Sequence, residues 1–121
     1  MNNVINWFEI PVVEMDRAVA FYEPVMQVTL RREKMDCIEM AVFPHEDPAP
    51  GGALAKFDGV KPSDQGCIIY LHTDNLAAAL ERVNSAGGSC VFGPLELADD
   101  IGTIALFIDS EGNRIGLHQP A

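Results

Sequence analysis

With 121 residues and 48% hydrophobic content, the chain is long enough for one folded domain and too apolar to be disordered. A net charge of −10, from 18 acidic against 8 basic residues, argues against a nucleic-acid partner, because phosphate contacts need clustered Lys and Arg. No apolar run reaches bilayer-spanning length, and MNNVINWFEI lacks a basic stretch followed by an apolar signal core, so a cytoplasmic protein without a membrane partner is expected.

In chain order, a strand is predicted over Val4–Val12 and a helix over Glu14–Met26 with apolar residues at 15, 18, 19, 22 and 25. Glu14 and Asp16 suit the positive end of its dipole, and Pro24 is expected to weaken its last turn. Strands follow at Val28–Arg32, Cys37–Phe43 and Ala53–Phe57, with a Pro-rich loop before the last of these. After the linker Lys61–Gly66 the plan repeats: a strand over 68–73, a helix over Asp74–Ala86, and strands at 89–92, 103–108 and 114–118. Arg31-Arg32-Glu33-Lys34 is a basic cluster diluted by acid, which reads as a solvated strand end. Cys37, Cys67 and Cys90 are odd in number and widely spaced, which suits small buried thiols rather than a disulfide or zinc framework.

The second half copies the first. An offset of 61 superimposes Met15, Ala18, Val19 and Tyr22 on Leu76, Ala79, Leu80 and Val83, and Ala41-Val42-Phe43 recurs as Ala105-Leu106-Phe107. The chain is therefore one domain, 1–121, of two β-α-β-β-β repeats spanning about 4–60 and 66–120. Neither half alone buries much apolar surface, so the two must share a core or pack on another copy.

Alternation assigns strand faces. Phe8, Ile10 and Val12, then Ala53, Ala55 and Phe57, then Ile69 and Leu71, and finally Ile115 and Leu117 form apolar rows expected to pack under the helices. The opposite rows hold Trp7, Glu9 and Pro11; Gly52, Leu54 and Lys56; Tyr70 and His72; and Arg114, Gly116 and His118. That mixture of aromatic, charged and small residues predicts a partly enclosed cavity for a small molecule.

The segment FEIPVVEMDRAVAFYEPVM, the closing ALFIDSEGNRIGLH and the paired units resemble the glyoxalase/bleomycin-resistance/dioxygenase superfamily, also called vicinal oxygen chelate proteins, over nearly the whole chain. The nearest likeness is to members described as related to lactoylglutathione lyase. The resemblance implies an α+β fold in which two units form a cupped mixed sheet with helices outside, and frequently a homodimer. It also implies a divalent metal bound by first- and last-strand residues of each unit. Those positions here fall at Trp7, Ile68, near Leu54 and at Gly116, none of which carries an oxygen or imidazole donor. No cofactor is therefore expected, with a displaced metal site on Glu9, His72 and His118 as the alternative.

Within the expected cavity, Glu9 and His118 are the candidate acid/base residues. Trp7, Tyr70, Leu54, Lys56, His72 and Gly116 are the candidate ligand-binding residues. If Trp7 aligns with Leu54, Glu9 lies beside Lys56 and forms an ion pair, and by the same registration His118 neighbours Tyr70. His72 is expected to make a local contact at its strand end. His45 is expected in solvent. Glu39 and Glu111 show no catalytic carboxylate pairing, and no nucleophile motif is present. Two functions remain open: a glyoxalase-related lyase or isomerase, and a non-catalytic binding protein that sequesters a small aromatic or planar compound.

Overall fold

The computed structural model describes residues 4–121; Met1, Asn2 and Asn3, part of the expected 1–121 domain, lie outside the described residues. The elements run β1 (Trp7–Pro11), α1 (Met15–Met26), β2 (Arg31–Met35), β3 (Ile38–Val42), β4 (Gly51–Lys56), β5 (Tyr70–His72), α2 (Leu76–Ser85), β6 (Ser89–Leu97), β7 (Gly102–Ile108) and β8 (Arg114–Gln119). Each half is a β-α-β-β-β unit, and the fold is α+β. The first sheet has the order β1-β4-β3-β2 and the second β5-β8-β7-β6, with the outer pairs β1–β4 and β5–β8 parallel.

The helices follow their apolar spacing. Leu76, Ala79, Leu80 and Val83 of α2 are all buried, as are Met15, Ala18, Tyr22 and Val25 of α1. Phe21 joins them and reaches the other half, its ring 5.9 Å from that of Phe107 on β7, while Tyr22 stacks edge-on against Phe43 of its own half. One apolar core thus runs through both units, with α1 on the first sheet, α2 on the second and the two helices packed against each other. Pro24 does not break α1, because it falls in the final turn; the helix runs to Met26 and closes on Gln27 in the left-handed region, φ 56°.

β2 starts three residues later than the sequence predicts. The backbone N–H of Leu30 donates to the Glu23 carboxylate at 2.8 Å and folds 28–30 back onto the helix end before the strand begins. At the other extreme β6 runs to Leu97, five residues beyond expectation, because irregular pairing with β7 continues through two register shifts. The thiols are a correction. Cys37 and Cys67 are exposed because they lie outside the strands, while Cys90, in β6, is half-buried against the core.

The halves are fastened through the turn between β7 and β8. Tyr22 donates to Asp109 at 2.6 Å, and Asp109 also accepts from the backbone N–H groups of Glu111 and Asn113. Asn113 in turn donates to the Pro11 carbonyl at 2.7 Å. Glu111 reaches across the seam to α1, whose own N-cap residue, Glu14, makes no side-chain cap. Its carboxylate accepts from the N–H groups of Val13 and Glu14, each at 2.8 Å, and from Arg17 at 2.6 and 3.1 Å. Burial alone would raise the Glu111 carboxyl, but Arg17, the two backbone donors and Ser110 outweigh it and hold the pKa at about 2. Burial, together with the Asp109 carboxylate, pushes the Tyr22 hydroxyl well above its ordinary value. These contacts fix which surfaces of the sheets remain open.

Candidate functional site

Because the helix-facing rows of both sheets share one core, their opposite faces are left uncovered by the helices. On the first sheet the outer row is Trp7, Glu9 and Pro11 on β1 with Gly51, Ala53 and Ala55 beside them on β4. The Trp7 indole N–H donates to the Glu9 carboxylate at 3.2 Å. The His45 ring meets Trp7 edge-on, with centroids 5.8 Å apart, and its Nδ1 donates to the Phe43 carbonyl at 3.2 Å. That bond leaves Nε2 as the free acceptor. Gly51 makes room for the imidazole, since a Cβ there would stand 2.6 Å from the His45 ring. Trp7 keeps 40% of its surface in solvent, so an aromatic face remains available beside a carboxylate and a histidine.

The outer face of the second sheet is larger and more apolar. Tyr70, 46% exposed, lies across Gly116, where a Cβ would meet its ring at 2.4 Å. Leu106 and Phe92 continue the same row, and Leu95 and Ile104 pair next to it. His118 stands opposite His72 on this face. His118 Nε2 contacts the Ile101 carbonyl at 2.7 Å, and His72 lies 3.4 Å from Asp74.

Several expected neighbours are not brought together. Leu54 is fully buried opposite Ile10 on the core face, and Ala53 takes the place beside Glu9. The sequence assignment of β4 was inverted by one residue, which sends every side chain of a strand to the other face. Lys56 consequently stands opposite Glu39 rather than Glu9, and Glu9 takes its hydrogen bond from Trp7. Tyr70 registers with Gly116, so His118 does not neighbour it. His45, expected in solvent, is exposed but packs on Trp7. Glu111, which offered no catalytic pairing, is the residue that sequence reasoning missed. Its partners lie 94 to 98 residues away, and no local spacing announces them.

The metal implied by the resemblance does not fit these residues. Trp7, Ile68, Leu54 and Gly116 provide no ligand atom, and Leu54 does not even face outward. The displaced set is divided, with Glu9 on one outer face and His72 and His118 on the other. Among the described residues of one chain, no three His, Cys, Asp or Glu side chains cluster to hold an ion. No reaction step is derived through a metal.

A duplicated β-α-β-β-β chain with aromatic residues on outward sheet faces defines a class of paired-module proteins. The sequence profile of the Glyoxalase/Bleomycin resistance protein/Dioxygenase superfamily matches residues 4–117, and the chain belongs to that superfamily. It is 26% identical to a glyoxylase-like domain-containing protein of Didymella fabae, over 93% of this chain and 91% of that one. Its fold is similar to TnmS3, an antibiotic binding protein from Streptomyces sp. CB03234, with a TM-score of 0.75, 23% identity and 99% and 98% coverage. It is also similar to a V278E mutant of glyoxalase I from Zea mays, with a TM-score of 0.74 and 21% identity, covering 94% of this chain but 45% of that one. No helix among the described residues is long and apolar enough to cross a membrane.

Proposed function

We propose that this chain binds and sequesters a small planar or aromatic molecule against Trp7, with Glu9 and His45 orienting its polar groups. The observation that carries the reading is the Trp7–Glu9–His45 group on an open sheet face. An indole held by one hydrogen bond and one edge contact, with 40% of its surface in solvent, is a stacking surface with polar groups at its border. The antibiotic-binding description of the TnmS3 structure supports a small molecule as the ligand. Nothing in the first sheet supplies an opposite wall. The apolar outer face of the second sheet, carrying Tyr70, Phe92 and Leu95, would supply it from a second copy, so the working unit is proposed to be a cytoplasmic homodimer. The enzymatic alternative, a lyase or isomerase with Glu9 or His118 as acid/base, finds Glu9 on the first sheet and His118 on the second, not paired with each other. His118 instead spends its Nε2 on the Ile101 carbonyl.

Trp7 is the single tryptophan, so its fluorescence reports the site directly. A panel of polycyclic aromatic compounds should quench it saturably, and calorimetry should show that binding is lost in Trp7→Ala. Light scattering should give twice the chain mass. Unaltered ligand affinity in Trp7→Ala would place the site elsewhere, and turnover of a hemithioacetal by the purified protein would restore the enzymatic alternative.

A further inference from the structure

Between the halves, where β1 approaches the chain leading into β5, lies a pocket of about 210 Å³ that shares only Glu9 with the Trp7 site. Arg114 and Lys61 both line it. Among the described residues, Arg114 Nε is the buried side-chain nitrogen without a hydrogen-bond partner. The other arginines are all occupied: Arg17 by Glu111, Arg31 by Glu33, Arg32 by Asp16 and Glu39, and Arg82 by the Val25 carbonyl. In a chain with 18 acidic residues, an arginine whose buried nitrogen has no acceptor at all needs a reason. Glu9 lines the same pocket, yet its carboxylate takes the Trp7 indole instead.

Nε itself is closed to solvent, so a ligand meets the guanidinium at its terminal nitrogens, which a carboxylate can grip along the planar fork. Lys61 adds a point charge, which favours an anion but does not orient it. Pro11, Ile69 and Ile115 supply apolar wall, and the volume falls below that of sites for drug-sized ligands. We propose that this seam pocket binds a short-chain aliphatic carboxylate, its carboxyl group on Arg114 with Lys61 beside it and its hydrocarbon end against the apolar wall. This site does not rest on the aromatic site at Trp7.

Titration of the full-length protein with sodium butyrate, followed in the arginine region of a nitrogen–proton correlation spectrum, tests it. The Arg114 Nε–H signal, identified as the one absent from Arg114→Lys, should sharpen and shift saturably. Arg114→Lys keeps the charge but loses the fork and should weaken binding about tenfold, while Lys61→Ala, a surface change, should weaken it about threefold. Inorganic phosphate should compete poorly. A signal that ignores butyrate means that water alone satisfies Arg114, and the proposal fails. Phosphate binding as tight as butyrate, or affinity unchanged in both variants, overturns it equally. Arg114→Lys should leave the quenching of Trp7 by aromatic ligands intact, so failure of one site is distinguishable from failure of the other.

Discussion

At the seam between the halves, Glu111 has no exposed side-chain surface and accepts five hydrogen bonds, from Val13, Glu14, Ser110 and twice from Arg17. On the outer face of the first sheet, Glu9 is exposed and accepts one, from Trp7. Both are glutamates, one in the middle of β1 and one in the turn between β7 and β8, yet they do opposite work. The saturated carboxylate has no capacity left for a ligand and acts as a rivet. The unsaturated one adds little to stability and keeps its lone pairs for whatever docks on Trp7. Hydrogen-bond saturation, rather than residue type, separates the structural acid from the available one.

Four experiments would sharpen or break that contrast. Removing the rivet should have the largest effect: Glu111→Ala leaves the start of α1 uncapped and Arg17 unpaired, and should cost about 3 kcal/mol in urea unfolding. A loss below about 0.5 kcal/mol, the range of ordinary surface changes, would mean the seam is held elsewhere. Acid should reproduce this loss in the unmodified protein. The Glu111 carboxyl is depressed from 4.5 to about 2 in the fold, so its contribution is complete above the unfolded value and drains as pH falls between them. The difference is worth roughly 3 kcal/mol at about 1.4 kcal/mol per pH unit, and Glu111→Gln should flatten that part of the stability profile. Tyr22→Phe should cost about 1 to 2 kcal/mol, because buried Asp109 loses its shortest donor. The smallest effect on stability is expected at the open face: Glu9→Gln should change it by under about 0.5 kcal/mol while altering ligand affinity. If Glu9→Gln instead destabilises the fold as Glu111→Ala does, the distinction between the two acids is wrong.

Much of the scaffold was legible in the sequence. The 61-residue offset locates both helices and their buried faces because helical periodicity is a local signal that a long element repeats several times. Trp7 and Glu9 were readable as an outward row for the same reason, since β1 alternates cleanly. β4 was not readable. Its sequence, GGALAK, is small or apolar at every position before the lysine, so nothing in it distinguishes faces, and one residue of error moved Leu54 and Lys56 into the expected cavity. The partners of Glu9 and His118 were misjudged for the same cause, register between strands distant in sequence. Arg114 was recognisable as an outward-row residue, whereas its lack of a partner depends on the whole tertiary arrangement.

The capping of α1 by Glu111 has a consequence for how the repeat can be taken apart. The second helix does not receive the reciprocal favour. Its first N–H groups are met from within its own half, Leu76 by Gln119 at 2.7 Å and Ala78 by Asn75 at 3.1 Å. At the helix starts the dependence therefore runs one way, and the two repeats are not interchangeable. A chain cut in the linker between Lys61 and Gly66 should leave an amino-terminal fragment whose helix start stays uncapped until it meets the carboxy-terminal one.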